Sequence, residues 1–146
     1  MRIWHYALLP YLSDLQFKGQ CRELVAIMRD WRDKGHTNHL LINMVMEYPK
    51  NDFARYFLHY EALYHKRYGK WLTKQWEEFK AFDDTPLDKR SNGVFAGWHN
   101  KEYLRVCMAN LYEKHFFGVG KSRITDEEWK MLLNGYKEIT GEEYHI

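Results

Sequence analysis

The chain has 146 residues, the length of one ordinary domain, with a formal net charge of +2 and a sequence pI near 8.4. So mild a basicity excludes a global electrostatic field, and any nucleic-acid binding must rest on a local patch. Two cysteines, Cys21 and Cys107, make no disulfide framework in a chain of this size, and no apolar run approaches the roughly 20 residues that span a bilayer.

The opening "MRIWHYALLPYL" is too short an apolar run, and too soon broken by Pro10, for a signal peptide. A soluble, cytoplasmic protein with no membrane partner is expected.

In chain order, Ser13 to Gln16 has the S-x-x-Q form of a capping box, and Phe17, Cys21, Leu24, Met28 and Trp31 follow at helical spacing. The first helix is expected over residues 14–33, stopping before Gly35. Thr37 and Asn38 cap a second, short helix carrying Leu40, Leu41, Met44 and Val45, which Pro49 ends. Asn51 caps a third in "DFARYFLHYEALYHKRYG", the most strongly periodic stretch, closed by Gly69.

A short helix through Trp76, Phe79 and Phe82 precedes a turn-rich loop, "DDTPLDKRSNGVFAG". From Asn100 a helix runs to Lys114 and Gly118 closes it. The last helix opens at Thr125, with Glu128 completing a capping box. With no period-2 strand and no internal repeat, the pattern is an all-α single domain, residues 1–146, of five or six short helices around an aromatic-rich core.

On a helical wheel of the first helix, Phe17, Leu24, Met28 and Trp31 share the core face, while Lys18, Arg22 and Arg29 line up as a basic stripe. Glu23 falls off both, with Gly19 four residues before it and Ala26 three after it. Two readings stand: a solvated carboxylate on a helix that uses Gly19 for close packing, or a carboxylate with room beside it, next to a phosphate-binding face.

The α-amine, with a pKa near 7.7–8.0, has a sizeable neutral fraction at neutral pH and can attack a sugar carbon to form a Schiff base. Arg2 is a bulky second residue that ordinarily prevents removal of the initiator methionine, so that amine is expected on Met1.

His36 and His39 form an H-x-x-H pair, but no further ligand joins them at recognisable spacing, so no metal or cofactor is expected. "GVGKS", residues 118–122, has the end of a phosphate loop, but His115 stands where that pattern needs glycine. Lys121 and Arg123 remain as possible phosphate contacts. The run "YFLHYEALYHKR" reads as core packing with a basic helix end, or as aromatics that stack on bases.

Taken together, "MRIWH", "LSDLQFKGQCREL", "HTNHLLINMV", "YFLHYEALYHKR" and "HNKEYLRVCMANLYEKH" resemble the pyrimidine-dimer DNA glycosylase family, the phage-type endonuclease V enzymes that excise dimers. The likeness spans most of residues 1–115. It implies a mainly helical fold and a monomeric glycosylase with abasic-site lyase activity, acting on double-stranded DNA that contains damaged or abasic sites.

By that resemblance the Met1 amine attacks the anomeric carbon, and Glu23 supports sugar-ring opening and the proton removal that drives β-elimination. Arg2 and Arg22 match phosphate-holding arginines, and Gln16 falls where the family has a polar residue facing DNA. Lys18, Arg29 and His99 complete the expected DNA contacts.

The aromatic, lysine-rich C-terminal tail of the phage enzyme has no match in residues 116–146, and Ala26 aligns with one of its arginines. Two other readings stay open: a helical DNA-binding module without the reaction, and a protein-interaction domain without DNA affinity.

Overall fold

Five α-helices are present among the described residues, which in this computed structural model are 2–83 and 94–146 without the side chain of Ser122. They are α1 (Asp14–Lys34), α2 (Lys50–Tyr68), α3 (Thr73–Phe82), α4 (Lys101–Phe116) and α5 (Asp126–Thr140). Of three 3-10 turns, Tyr6–Tyr11 precedes α1, Ile42–Glu47 joins α1 to α2 and Gly120–Ser122 joins α4 to α5. No strand forms among the described residues, in keeping with the all-α expectation. Residues 84–93, the middle of the expected turn-rich loop, lie outside the described residues.

Local chemistry explains most boundaries. α1 stops at Gly35, whose φ of 76° is the left-handed conformation a helix end needs, and whose N–H donates to the Asp30 and Trp31 carbonyls. Asn100 caps α4 by accepting the Tyr103 N–H at 2.9 Å. At α5 both bonds of the capping box form: Glu128 N–H donates to Thr125 Oγ1 and Thr125 N–H to Glu128 Oε1.

Three expectations fail in instructive ways. The Ser13–Gln16 capping box does not form: Ser13 makes no side-chain cap bond, and Gln16 instead lines a cavity beside α1. α2 starts at Lys50, with Pro49 rather than Asn51 in the cap position. The second helix is a 3-10 turn, because the stretch between the Thr37–Asn43 hydrogen bonds and Pro49 is too short to nucleate an α-helix. Only Ile42 and Val45 of that turn enter the core; Leu40 and Leu41, apolar residues of the expected helix, are 86% and 83% exposed.

The aromatic run of α2 is core. Tyr56, Phe57 and Tyr60 are fully buried, and Phe57 stacks on Phe79 of α3 with ring centres 4.4 Å apart. Arg67 lies 4.0 Å over the Phe17 ring and donates to the carbonyls of Leu9, Pro10 and Leu12. The base-stacking reading of this run is thereby excluded for the buried rings. α5 closes the other side against Tyr6–Tyr11, where Gly135 is obligatory: a Cβ there would sit 2.4 Å from the Tyr11 ring.

The feature that positions everything else is the N-terminal segment. Ile3, Trp4 and His5 are 0%, 3% and 4% exposed, although they belong to no helix or sheet. Buried irregular backbone must find partners for its polar groups, and here side chains from three helices provide them. Tyr103 of α4 donates to the Ile3 carbonyl, Tyr56 of α2 to the Trp4 carbonyl, and Gln20 of α1 accepts the Trp4 N–H at 2.8 Å.

Candidate active site

Gln20 and Glu23, one turn apart on α1, grip the start of the chain. The fully buried Gln20 carboxamide accepts the Trp4 N–H and donates to the Arg2 carbonyl at 2.7 Å, so one side chain satisfies both edges of the segment. Its Nε2 also lies 3.4 Å from Glu23 Oε2. Glu23 Oε2 in turn accepts the Arg2 backbone N–H at 3.1 Å. The carboxylate is therefore anchored on the peptide nitrogen that joins residues 1 and 2.

Around it opens a cavity of about 260 Å³, lined by Arg2, Trp4, Leu15, Gln16, Gly19, Arg22, Glu23 and Lys114. Three of these carry positive charge, and Glu23 is the acid among them. A cluster of that sign draws in phosphate oxygens through charge-assisted hydrogen bonds, while the carboxylate can take up a proton beside them. The Arg2 guanidinium lies 5.2 Å from the centre of the Trp4 ring, whose face helps hold it in place.

Gly19 has a clear part in this space. Among the described residues a Cβ at that position would meet only the Arg22 Nη2, at 4.0 Å, so none of the described helices packs there and the reading of Gly19 as a close-packing residue fails. It leaves the cavity wall open directly beneath Glu23. Ala26, the other small residue flanking Glu23 on the wheel, is not among the cavity-lining residues.

The structure thus brings Arg2, Gln16, Arg22 and Glu23 together, and sends the other expected contacts elsewhere. Lys18 sits 4.8 Å from the Tyr68 ring centre at the end of α2. Arg29 makes a two-pronged ion pair with Glu78 of α3, at 2.6 and 2.8 Å. His99 is 8% exposed, its Nδ1 accepts the Tyr6 N–H at 3.2 Å, and burial pushes its pKa down to about 2. A buried, neutral ring cannot serve as a cationic phosphate contact, and His99 works as a core residue stacked with His5 and Tyr103. Met1 lies outside the described residues.

The family model for pyrimidine dimer DNA glycosylase matches residues 1–78, more than half of the chain. The chain belongs to that family. No curated protein and no solved structure matches it.

Membership in the glycosylase family makes DNA the substrate class and enzymatic base excision the family activity. The matched segment contains the buried N-terminal strap, α1 and α2, and hence every cavity residue except Lys114. No helix of the described residues is long and apolar enough to cross a membrane.

Two participants escaped the sequence. Gln20 looked like one more polar residue on α1, though it lies three before Glu23 and so shares its helix edge; the missing information was that the chain start folds back onto that edge. Lys114 reaches the cavity from the far end of α4, and no local pattern signals a pairing of elements so distant in sequence.

Proposed function

We propose that this chain is a bifunctional DNA glycosylase and abasic-site lyase that excises a damaged pyrimidine through its own α-amine. The observation that carries this reading is the 3.1 Å hydrogen bond from the Arg2 N–H to Glu23 Oε2. The α-amine of Met1 is one residue from the Arg2 nitrogen, and Glu23, bound to that nitrogen, is taken as its acid-base partner. An amine with its acid-base partner beside it is a nucleophile readied before substrate arrives.

In the proposed sequence the neutral Met1 amine forms a bond to C1′ as the glycosidic bond breaks. The base leaves with the electron pair, and the proton that the attacking nitrogen sheds neutralises it. The nitrogen lone pair then closes a C=N bond while the C1′–O4′ bond opens and O4′ is protonated. Glu23 removes a proton from C2′, and those electrons expel the 3′-phosphate. Water finally hydrolyses the imine and frees the amine. Arg2 and Arg22 hold the phosphates on either side of the opened nucleotide, and Gln16, on the same cavity wall, contacts the DNA.

Borohydride reduction on an abasic-site duplex tests the reading, because it converts an imine into a stable covalent adduct. Protein that begins at Met1 gives the adduct; protein with residues left ahead of Met1 does not. A tagged protein that is trapped and cleaves as well as the native one overturns the assignment of the nucleophile.

A further inference from the structure

α4 carries a second row of residues toward the site. Tyr103, Val106, Asn110, Lys114 and Phe117 recur at intervals of three and four, so they form one stripe along the helix. Lys114 lines the Glu23 cavity, and Val106 and Asn110 line an adjoining groove that also ends on Arg2. The stripe thus passes the site and ends at Phe117, 72% exposed, with Phe116, 64% exposed, next to it in sequence.

These rings are held, not loose. They meet edge to face with centres 4.9 Å apart, and Phe116 stacks on Tyr112 at 5.7 Å. The Phe117 N–H donates to the Glu113 carbonyl at 2.8 Å, and the Ile124 N–H returns to the Lys114 carbonyl at 3.2 Å, which clamps the reversal of the chain. Gly118 makes that reversal possible, since a Cβ there would lie 2.1 Å from the Lys114 carbonyl oxygen. In sequence Lys114 precedes the pair and exposed Lys121 and Arg123 follow it, Arg123 lying 3.7 Å from Asp126.

Two adjacent exposed aromatics are costly in water, and a basic surround is suited to a polyanion. We propose that Phe116 and Phe117 form an aromatic wedge that enters the damaged duplex beside the lesion and stacks on the bases exposed there, with Lys114, Lys121 and Arg123 on the flanking phosphates. Double-stranded DNA is the occupant because the tip is continuous, through Lys114, with the cavity that takes the sugar-phosphate. A preordered pair of rings adds stacking at little entropic cost, and unstacking is cheapest where a base is already damaged or missing.

This inference rests on the proposed function for its location, and its test separates the two. Duplexes carrying a tetrahydrofuran abasic analogue, which cannot form an imine, are titrated by fluorescence anisotropy, with 2-aminopurine beside the lesion reporting unstacking. The wedge predicts that F116A/F117A binds at least about 10-fold more weakly than wild type and loses the 2-aminopurine signal. F116Y/F117Y, which keeps both rings, retains both.

Unchanged duplex affinity and 2-aminopurine signal in F116A/F117A overturn the wedge even if trapping is normal. Conversely, wild type that binds in a ring-dependent way yet is never trapped retains the wedge and removes the imine chemistry.

Discussion

The two halves of α1 carry the same kind of residues and do different things with them. In the first half, Gln16, Gly19, Arg22 and Glu23 open onto a cavity and onto the buried start of the chain. In the second, Arg29 and Arg32 both engage Glu78 of α3, at 2.6 and 3.3 Å, and Arg32 also pairs with Asp33. Arg22 and Arg29 belong to one basic stripe on the helical wheel, yet the partner helix neutralises only the second. A stripe read from one helix marks where charge can be; the elements packed against it decide where charge remains available to a ligand.

The largest effect that would sharpen this contrast comes from Glu23. Replacing it with Gln keeps the shape and the acceptor for the Arg2 N–H but removes the base, so strand cleavage at an abasic site falls by about 10²–10⁴-fold while duplex affinity stays near wild type. Single-turnover cleavage beside anisotropy measures both; parallel loss of the two would mean a binding role only.

Gln20→Ala comes next. It strips partners from the Trp4 N–H and the Arg2 carbonyl, in a region that is fully buried at residue 20, at about 1–3 kcal/mol for each group left unpaired. Trapping should fall with it, because the chain start loses its anchor. Urea denaturation and trapping yield read the two consequences separately.

Arg22→Ala should weaken duplex binding by about 10-fold and reduce the salt slope by about one. The smallest effect belongs to the paired half: Arg29→Ala should leave affinity and salt slope within about 2-fold of wild type. Equal losses at the two positions would erase the distinction between the halves.

A pH experiment probes the histidines that the charged face does not use. Burial lowers the pKa of His5 to about 4 and of His99 to about 2, against 6.5 for an exposed ring. Below pH 6.5 the unfolded chain takes up protons that the folded chain refuses. Stability is therefore complete above about 6.5 and is lost as pH falls through about 4 toward 2. Urea midpoints at pH 7.5 and 5 should show this loss.

How much of this was legible depends on range. Helix starts and stops that rest on local chemistry, such as Gly35, Asn100 and the Thr125–Glu128 box, could be read directly, because their partners lie within one turn. The second helix misled because its apolar spacing was real but its length too short, and Leu40 and Leu41 ended on the surface. Arg2, Gln16, Arg22 and Glu23 were indicated by family resemblance, and the fold brings all four to one cavity. His99 was not legible as a core residue, since its burial comes from Tyr6 and Tyr103 closing over it. Nor was Gln20, whose partners are backbone atoms 16 and 18 residues away.

The central claim is that the α-amine of Met1, with Glu23 as its acid-base partner, is the nucleophile. Mass spectrometric mapping of the borohydride-reduced adduct tests it most directly. The account predicts the sugar remnant on the N-terminal peptide, attached at the α-nitrogen of Met1. An adduct mapped instead to Lys114 or any other lysine, or no adduct from protein with a free terminus, would contradict it.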